Sequence, residues 1–111
     1  MQPTTNELHA VANCARALNV DPGFYLIIAE LGYTAACAGG SMSALASWVI
    51  NHPVRVASTP ETRRAVASVA KACGQDPLFV ISVDEFGIEA ARAGYGSAPA
   101  RLARMMHAAL A

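Results

Sequence analysis

Written beneath itself with a displacement of fifty-five residues, the chain nearly repeats, and this limits its architecture more than any other feature. Thr4, Ala10, Val11, Ala12, Ala15 and Ala17 recur as Thr59, Ala65, Val66, Ala67, Ala70 and Ala72. Asp21, Pro22, Phe24, Glu30 and Gly32 recur as Asp76, Pro77, Phe79, Glu85 and Gly87, and Ala35, Ala36, Ala38 and Gly39 as Ala90, Ala91, Ala93 and Gly94. That makes fifteen identities in the thirty-six columns from Thr4 to Gly39, without a gap. Seven are alanines in an alanine-rich chain, but Asp-Pro, Phe, Glu and two Gly also keep their spacing. A supersecondary unit written twice within 111 residues predicts one domain, 1–111, with internal repeats at 4–51 and 59–109 sharing one core.

Each copy reads as three helices. Thr4 followed by Glu7 has the form of a capping box, and Thr59-Pro60-Glu61 offers a hydroxyl cap, a first-turn proline and an acid near the positive helix end. Leu8, Val11, Ala12, Ala15 and Leu18 form one apolar stripe, matched by Val66, Val69, Ala70 and Cys73. Asp21-Pro22 and Asp76-Pro77 then restart the chain, since the residue before proline disfavours helix and Asp caps the next one. The segments that follow are rich in aromatic and β-branched residues, which leaves two readings. The favoured one is a helix from Asp21 to about Ala38, and again from Asp76 to about Ala93. The alternative is an α+β fold with short strands at 24–29 and 79–84. Third helices are expected from about Ser43 to Asn51 and from Ser97 to Ala109, where the copies slip by two residues.

The expected fold is therefore all-α: six helices as two tandem three-helix repeats with pseudo-two-fold symmetry. Gly32 and Gly87 fall inside the expected middle helices, where each costs about 1 kcal/mol relative to Ala. With alanines three and four residues on, they suggest a close crossing of the two middle helices at the centre; the alternative is a kink at a strand-to-helix change, which the strand reading would supply.

Composition narrows the function classes. Hydrophobic residues make up 54% and charged ones 14%, against about a quarter charged in an average domain. So few charges point to a homo-oligomer with a buried interface, a dimer or larger; an alanine-rich surface of the kind a GC-rich bacterial genome encodes is the alternative. Eight Lys and Arg balance eight Asp and Glu, so the chain lacks the basic footprint that nucleic-acid binding requires. Cys14, Cys37 and Cys73 are odd in number and without CxxC spacing, which predicts buried reduced thiols. The first residues show no basic region followed by an apolar one, and the apolar stretch from Phe24 to Ala38 is short for a membrane span and contains Glu30. The expectation is a cytoplasmic protein that takes neither nucleic acid nor membrane as a partner.

Glu30 and Glu85 occupy the same place in both copies, and the apolar neighbours of Glu30 would raise its pKa toward acid–base use. A pseudo-two-fold would bring the pair together between the repeats as the site of a small enzyme or ligand-binding protein. No His pairs with Cys, Asp or Glu at metal-ligand spacing, and no phosphate loop or nucleophile elbow is written in the chain, so neither metal nor cofactor is expected. Arg101 and Arg104, with Arg63 and Arg64, form the one basic concentration; it reads as a solvated face or as a dock for an acidic partner segment. Trp48, Tyr33 and Met105-Met106 are the residue types that favour interfaces, but core packing is the favoured role for each. The favoured function is a non-enzymatic helical interaction or adaptor module whose expected partner-binding residues are Trp48, Tyr33, Arg101, Arg104 and Met105. The carboxylate pair is its rival.

Overall fold

The computed structural model describes residues 2–93, and each structural statement below concerns those residues. They form seven helices: α1 (Thr5–Ala17), α2 (Pro22–Leu31), α3 (Tyr33–Cys37), α4 (Ala44–Asn51), α5 (Pro60–Ala72), α6 (Pro77–Phe86) and α7 (Ile88–Arg92). The fold is all-α. The bounds of α1, α2 and α3 recur in α5, α6 and α7 at a displacement of fifty-five residues. The third helix expected at 97–109 lies outside the described residues, as do Arg101, Arg104, Met105 and Met106.

Local chemistry explains each start. Thr4 accepts from the Glu7 amide at 3.2 Å while Glu7 accepts from the Thr4 amide at 2.7 Å, closing the capping box. At α5 the reciprocal partner is the Thr62 hydroxyl, which accepts from the Thr59 amide at 2.8 Å; Glu61 supplies charge in the first turn rather than the box. Asp21 and Asp76 cap α2 and α6, accepting from the amides of Gly23 and Leu78, each at 3.0 Å. No strand occurs among the described residues, so the alternative with strands at 24–29 and 79–84 is set aside. An Asp cap and a first-position proline start a helix there. The buried sets Tyr25, Leu26, Ile28 and Val80, Ile81, Val83 then lie toward the core, and tertiary burial overrides the β-propensity of these residue types.

The expected middle helices are each broken in two, and this corrects the reading of Gly32 and Gly87. Their φ, ψ angles are 99°, 166° and 94°, 161°, a region open almost solely to glycine. A Cβ added at either would meet nothing within 4 Å, so close approach is not the reason for glycine. The Gly32 amide closes α2 on the Ile28 carbonyl at 2.9 Å, and its own carbonyl opens α3 by accepting from the Ala36 amide at 3.1 Å. The residue redirects the helix while both of its backbone groups stay bonded. Gly32→Ala should therefore cost about 1–3 kcal/mol through backbone strain alone. Chemical denaturation of the L-Ala and semisynthetic D-Ala proteins checks this, because D-Ala enters the region freely and should restore stability. Equal losses in both would mean a steric origin instead.

The central crossing belongs to α1 and α5, not to the middle helices. Ala12 and Ala15 on α1 and Ala70 on α5 are fully buried in the shared core, and their small side chains leave room for the two helices to pack together. Leu8, Val11, Val66 and Val69 fill the space beside them. Helix α2 packs on α1 and α5, and α6 packs on α5 and α1. Helix α4 lies across α1 and α2, burying Ala46 and Val49. Of the three thiols, all free, only Cys14 is buried; Cys37 is exposed and Cys73 is intermediate.

Candidate functional site

The two repeated carboxylates are committed to different partners. Glu30, in the last turn of α2, accepts from the Ser43 hydroxyl at 2.7 Å and the Ser43 amide at 3.4 Å. Ser43 in turn caps α4, accepting from the Ala46 amide at 3.0 Å. Glu30 thus buttresses a helix cap. Glu85 accepts from the Ser58 hydroxyl at 3.0 Å and lies 3.9 Å from the Arg63 guanidinium, which also donates to Ser58 at 3.2 Å. Arg63 is accordingly no part of a solvated basic face. The two glutamates share no partner, and Glu85 faces a cleft that Glu30 does not line.

Tyr33 and Trp48 are both exposed, at 45% and 49%. Tyr33 meets Phe24 edge-on at 6.1 Å between ring centroids. Trp48 stacks on His52 at 4.4 Å and presents its edge to His9 at 6.2 Å. His9 is buried with no partner for Nδ1, and burial, aided by Arg16, pushes its pKa down, so the imidazole is neutral. Leu31, Met42, Leu45 and Val54 are also exposed, so the exposed large hydrophobics among the described residues all fall within 31–54. Leu45 and Trp48, three apart on α4, share one face. Met42 lies against Gly23 at the start of α2, with Sγ 3.5 Å from where a Cβ would stand.

A cleft of about 460 Å³ opens between α1, α6 and the 53–59 link, lined on its helical sides by Ala10, Asn13, Cys14, Ala17, Val83 and Asp84. Arg16, Arg55, Val56 and Glu85 also face it, and Arg55, Asp84 and Glu85 line an adjoining recess of about 400 Å³ that reaches Ser58 and Thr62. The Asn13 amide donates to the Val54 carbonyl at 2.9 Å, and Arg16 donates to Asn13 Oδ1 at 3.0 Å and to the Ile50 carbonyl at 3.1 Å. These bonds fasten the link against α1 and so hold the cleft's outer wall.

Burial raises the Asp84 carboxyl to about 6, the Glu85 charge adds to the rise, and Arg63 opposes it. Burial also pushes the Cys14 thiol up to about 12, and Cys14 Sγ donates to the Val80 carbonyl at 3.7 Å. A thiol so protonated is no nucleophile at neutral pH. Recurrence does not mark Asp84, because the copies do not share it. The usable signal was a mismatch: Asp84 stands where the first copy has Ala29.

Among the described residues no group of three or more His, Cys, Asp or Glu could hold a metal ion, and no helix is long and apolar enough to cross a membrane. Compared with protein-family models, with curated proteins and with solved structures, the chain matches none of them.

Proposed function

We propose that the chain is a helical interaction module that docks a protein partner through the apolar face of residues 31–54. The observation that carries this reading is the grouping of Leu31, Tyr33, Met42, Leu45, Trp48 and Val54 as exposed large hydrophobics in one stretch, with none in 60–93. Large exposed apolar groups cost solubility, and their concentration in one stretch of chain favours an interaction role for it. Trp and Tyr supply the rigid, amphipathic contact area on which interface energy concentrates. The rival use of Glu30 and Glu85 as one carboxylate pair draws no support from a geometry that ties each to its own serine. A second copy of the chain is one candidate partner, and three free thiols suit a reducing, cytoplasmic setting.

The test is a photo-crosslinking residue at Leu45, introduced in the native host with and without Trp48→Ala. A truncated anchor of this kind typically costs about 2 kcal/mol or more of binding, close to a thirtyfold weakening. The crosslinked species should therefore disappear in the Ala variant, while the melting temperature stays within a few degrees because the indole is half exposed. Light scattering separates self-association from a foreign partner, since the monomer mass is 11.5 kDa. A crosslinking pattern that Trp48→Ala leaves unchanged would overturn the proposal.

A further inference from the structure

The cleft at Asp84 has a counterpart elsewhere in the molecule. A second groove, of about 410 Å³, lies between α5 and α2 and is lined by Ala65, Ser68, Val69, Ala72, Ile28 and Ala29. Those six positions are the fifty-five-residue equivalents of Ala10, Asn13, Cys14, Ala17, Val83 and Asp84. The groove is thus a consequence of how the first helix of one copy meets the second helix of the other. Its contents are not. Where one groove has Ala29 the other has a carboxylate, on a scaffold that packs equally well with a methyl group there.

A carboxylate withdrawn from water without a partner costs free energy, so its place in the cleft calls for a physical reason. Asp84 accepts no hydrogen bond from a described residue. Its neighbours' charges are already met: Glu85 by Arg63 and Ser58, Arg16 by Asn13 and the Ile50 carbonyl. Arg55 on the link likewise makes no hydrogen bond or ion pair with a described residue, and it lines both recesses that Asp84 lines. No ion pair joins Arg55 to Asp84, so the two do not neutralise each other. Two opposite charges, Asp84 half-buried and Arg55 exposed, neither paired with a described residue, face one cavity within the range of about 300–1,000 Å³ usual for small-molecule sites. Val56, Val83 and Cys14 line the same space and suit an apolar side chain.

We propose that this cleft binds a small zwitterion of the free α-amino-acid class, its ammonium on Asp84 and its carboxylate on Arg55. A simple amine would leave Arg55 unmet and face Arg16 as well. A simple carboxylate would be repelled by Asp84 and Glu85. Only a ligand with both charges satisfies both walls, and each charge-assisted contact gains strength from the partial exclusion of water.

Three probes of one shape test this by titration calorimetry at pH 7.5: L-leucine, 3-methylbutan-1-amine, which lacks its carboxylate, and 4-methylpentanoate, which lacks its ammonium. L-Serine and L-lysine extend the panel in case the side chain is polar. At least one amino acid should bind at millimolar concentration or better, and leucine, if it is the one, at least tenfold tighter than either truncated probe. Asp84→Asn and Arg55→Gln should each weaken amino-acid binding at least tenfold, whereas Lys71→Ala, on the exposed side of α5, should not. Affinity should also fall between pH 7.5 and pH 5 as Asp84 protonates, with Glu85, Arg63, Arg16, Arg55 and Cys14 the charged or titratable groups around it. No binding by any of the three amino acids, equal binding of the amine alone, or amino-acid affinity unmoved by Asp84→Asn would each overturn the proposal. The site is separate from the Trp48 face, so its failure leaves the docking proposal standing.

Discussion

Asp84→Asn should make the protein more stable at pH 8, and the gain should shrink as the pH is lowered to 5. Most single substitutions destabilise, so the direction alone is informative. Folding raises the carboxyl to about 6 from about 3.9 in an unfolded chain. The folded state therefore holds the Asp84 proton more tightly than the unfolded state does. Its neutral form costs nothing below about pH 4, and the penalty grows as pH rises through the window to about 6. Above that it is complete, at about 3 kcal/mol for a shift of about two units. An amide brings its own desolvation cost, so about 1–3 kcal/mol is the net gain expected at pH 8, a rise in melting temperature of about 5–15 °C. Asp84→Ala, which copies the residue at position 29, gives a second estimate free of the amide. Neutral His9 works the other way, its lowered pKa withdrawing stability as pH falls through the mid-sixes, but it is present in both proteins and cancels in the difference. Thermal melts of the wild type and both variants at pH 5 and pH 8 measure the effect. A variant no more stable than wild type at pH 8 would show that the carboxylate is well solvated, which would remove the energetic argument for a ligand in the cleft.

That a stability gain is expected from removing a charge shows where the sequence was readable and where it was not. Most helix ends are legible in the sequence. Thr4 with Glu7, Asp21-Pro22, Asp76-Pro77, Ser43 and Gly39 act through neighbours a few residues away, and each ends or begins a helix where the residue types place it. The stripe of Leu8, Val11, Ala12 and Ala15 was legible because helical period and burial agree. Gly32 and Gly87 were misread. Two mechanisms place glycine inside a helical pattern, and the letter alone does not say whether a neighbour or a dihedral angle demands it. The candidate site was legible only in part. Tyr33 and Trp48 read by type as core residues first and interface residues second, and both lie exposed, whereas Glu30 and Glu85, marked by recurrence, hold Ser43 and Ser58. Recurrence marks what the fold needs in both copies. A function carried by one copy appears instead where the copies differ, as at Ala29 and Asp84.

Leu26→Ala and Ile81→Ala, made singly, should each cost about 2–5 kcal/mol, and together they should leave no folded protein. The two side chains occupy matched positions on α2 and α6, and both are fully buried. Truncation at either leaves a cavity in a closely packed interior, and α2 and α6 each pack on both α1 and α5. That shared support makes the outcome more specific than a loss of stability. If each copy were its own folding unit, Ile81→Ala would weaken residues 60–93 and leave α2 as protected as before. With α1 and α5 in contact along the middle of one core, a defect under α6 lowers the free energy of opening everywhere the core reaches. Native-state hydrogen exchange of Ile81→Ala should therefore show the slowest amides of α1 and α2 losing protection by the same amount as those of α5 and α6, within a single cooperative denaturation curve. Loss confined to α5 and α6, or two separable transitions, would mean that the repeat is a tandem of independent units, and the clefts between first helix and second helix would then be interfaces between them rather than features of one domain.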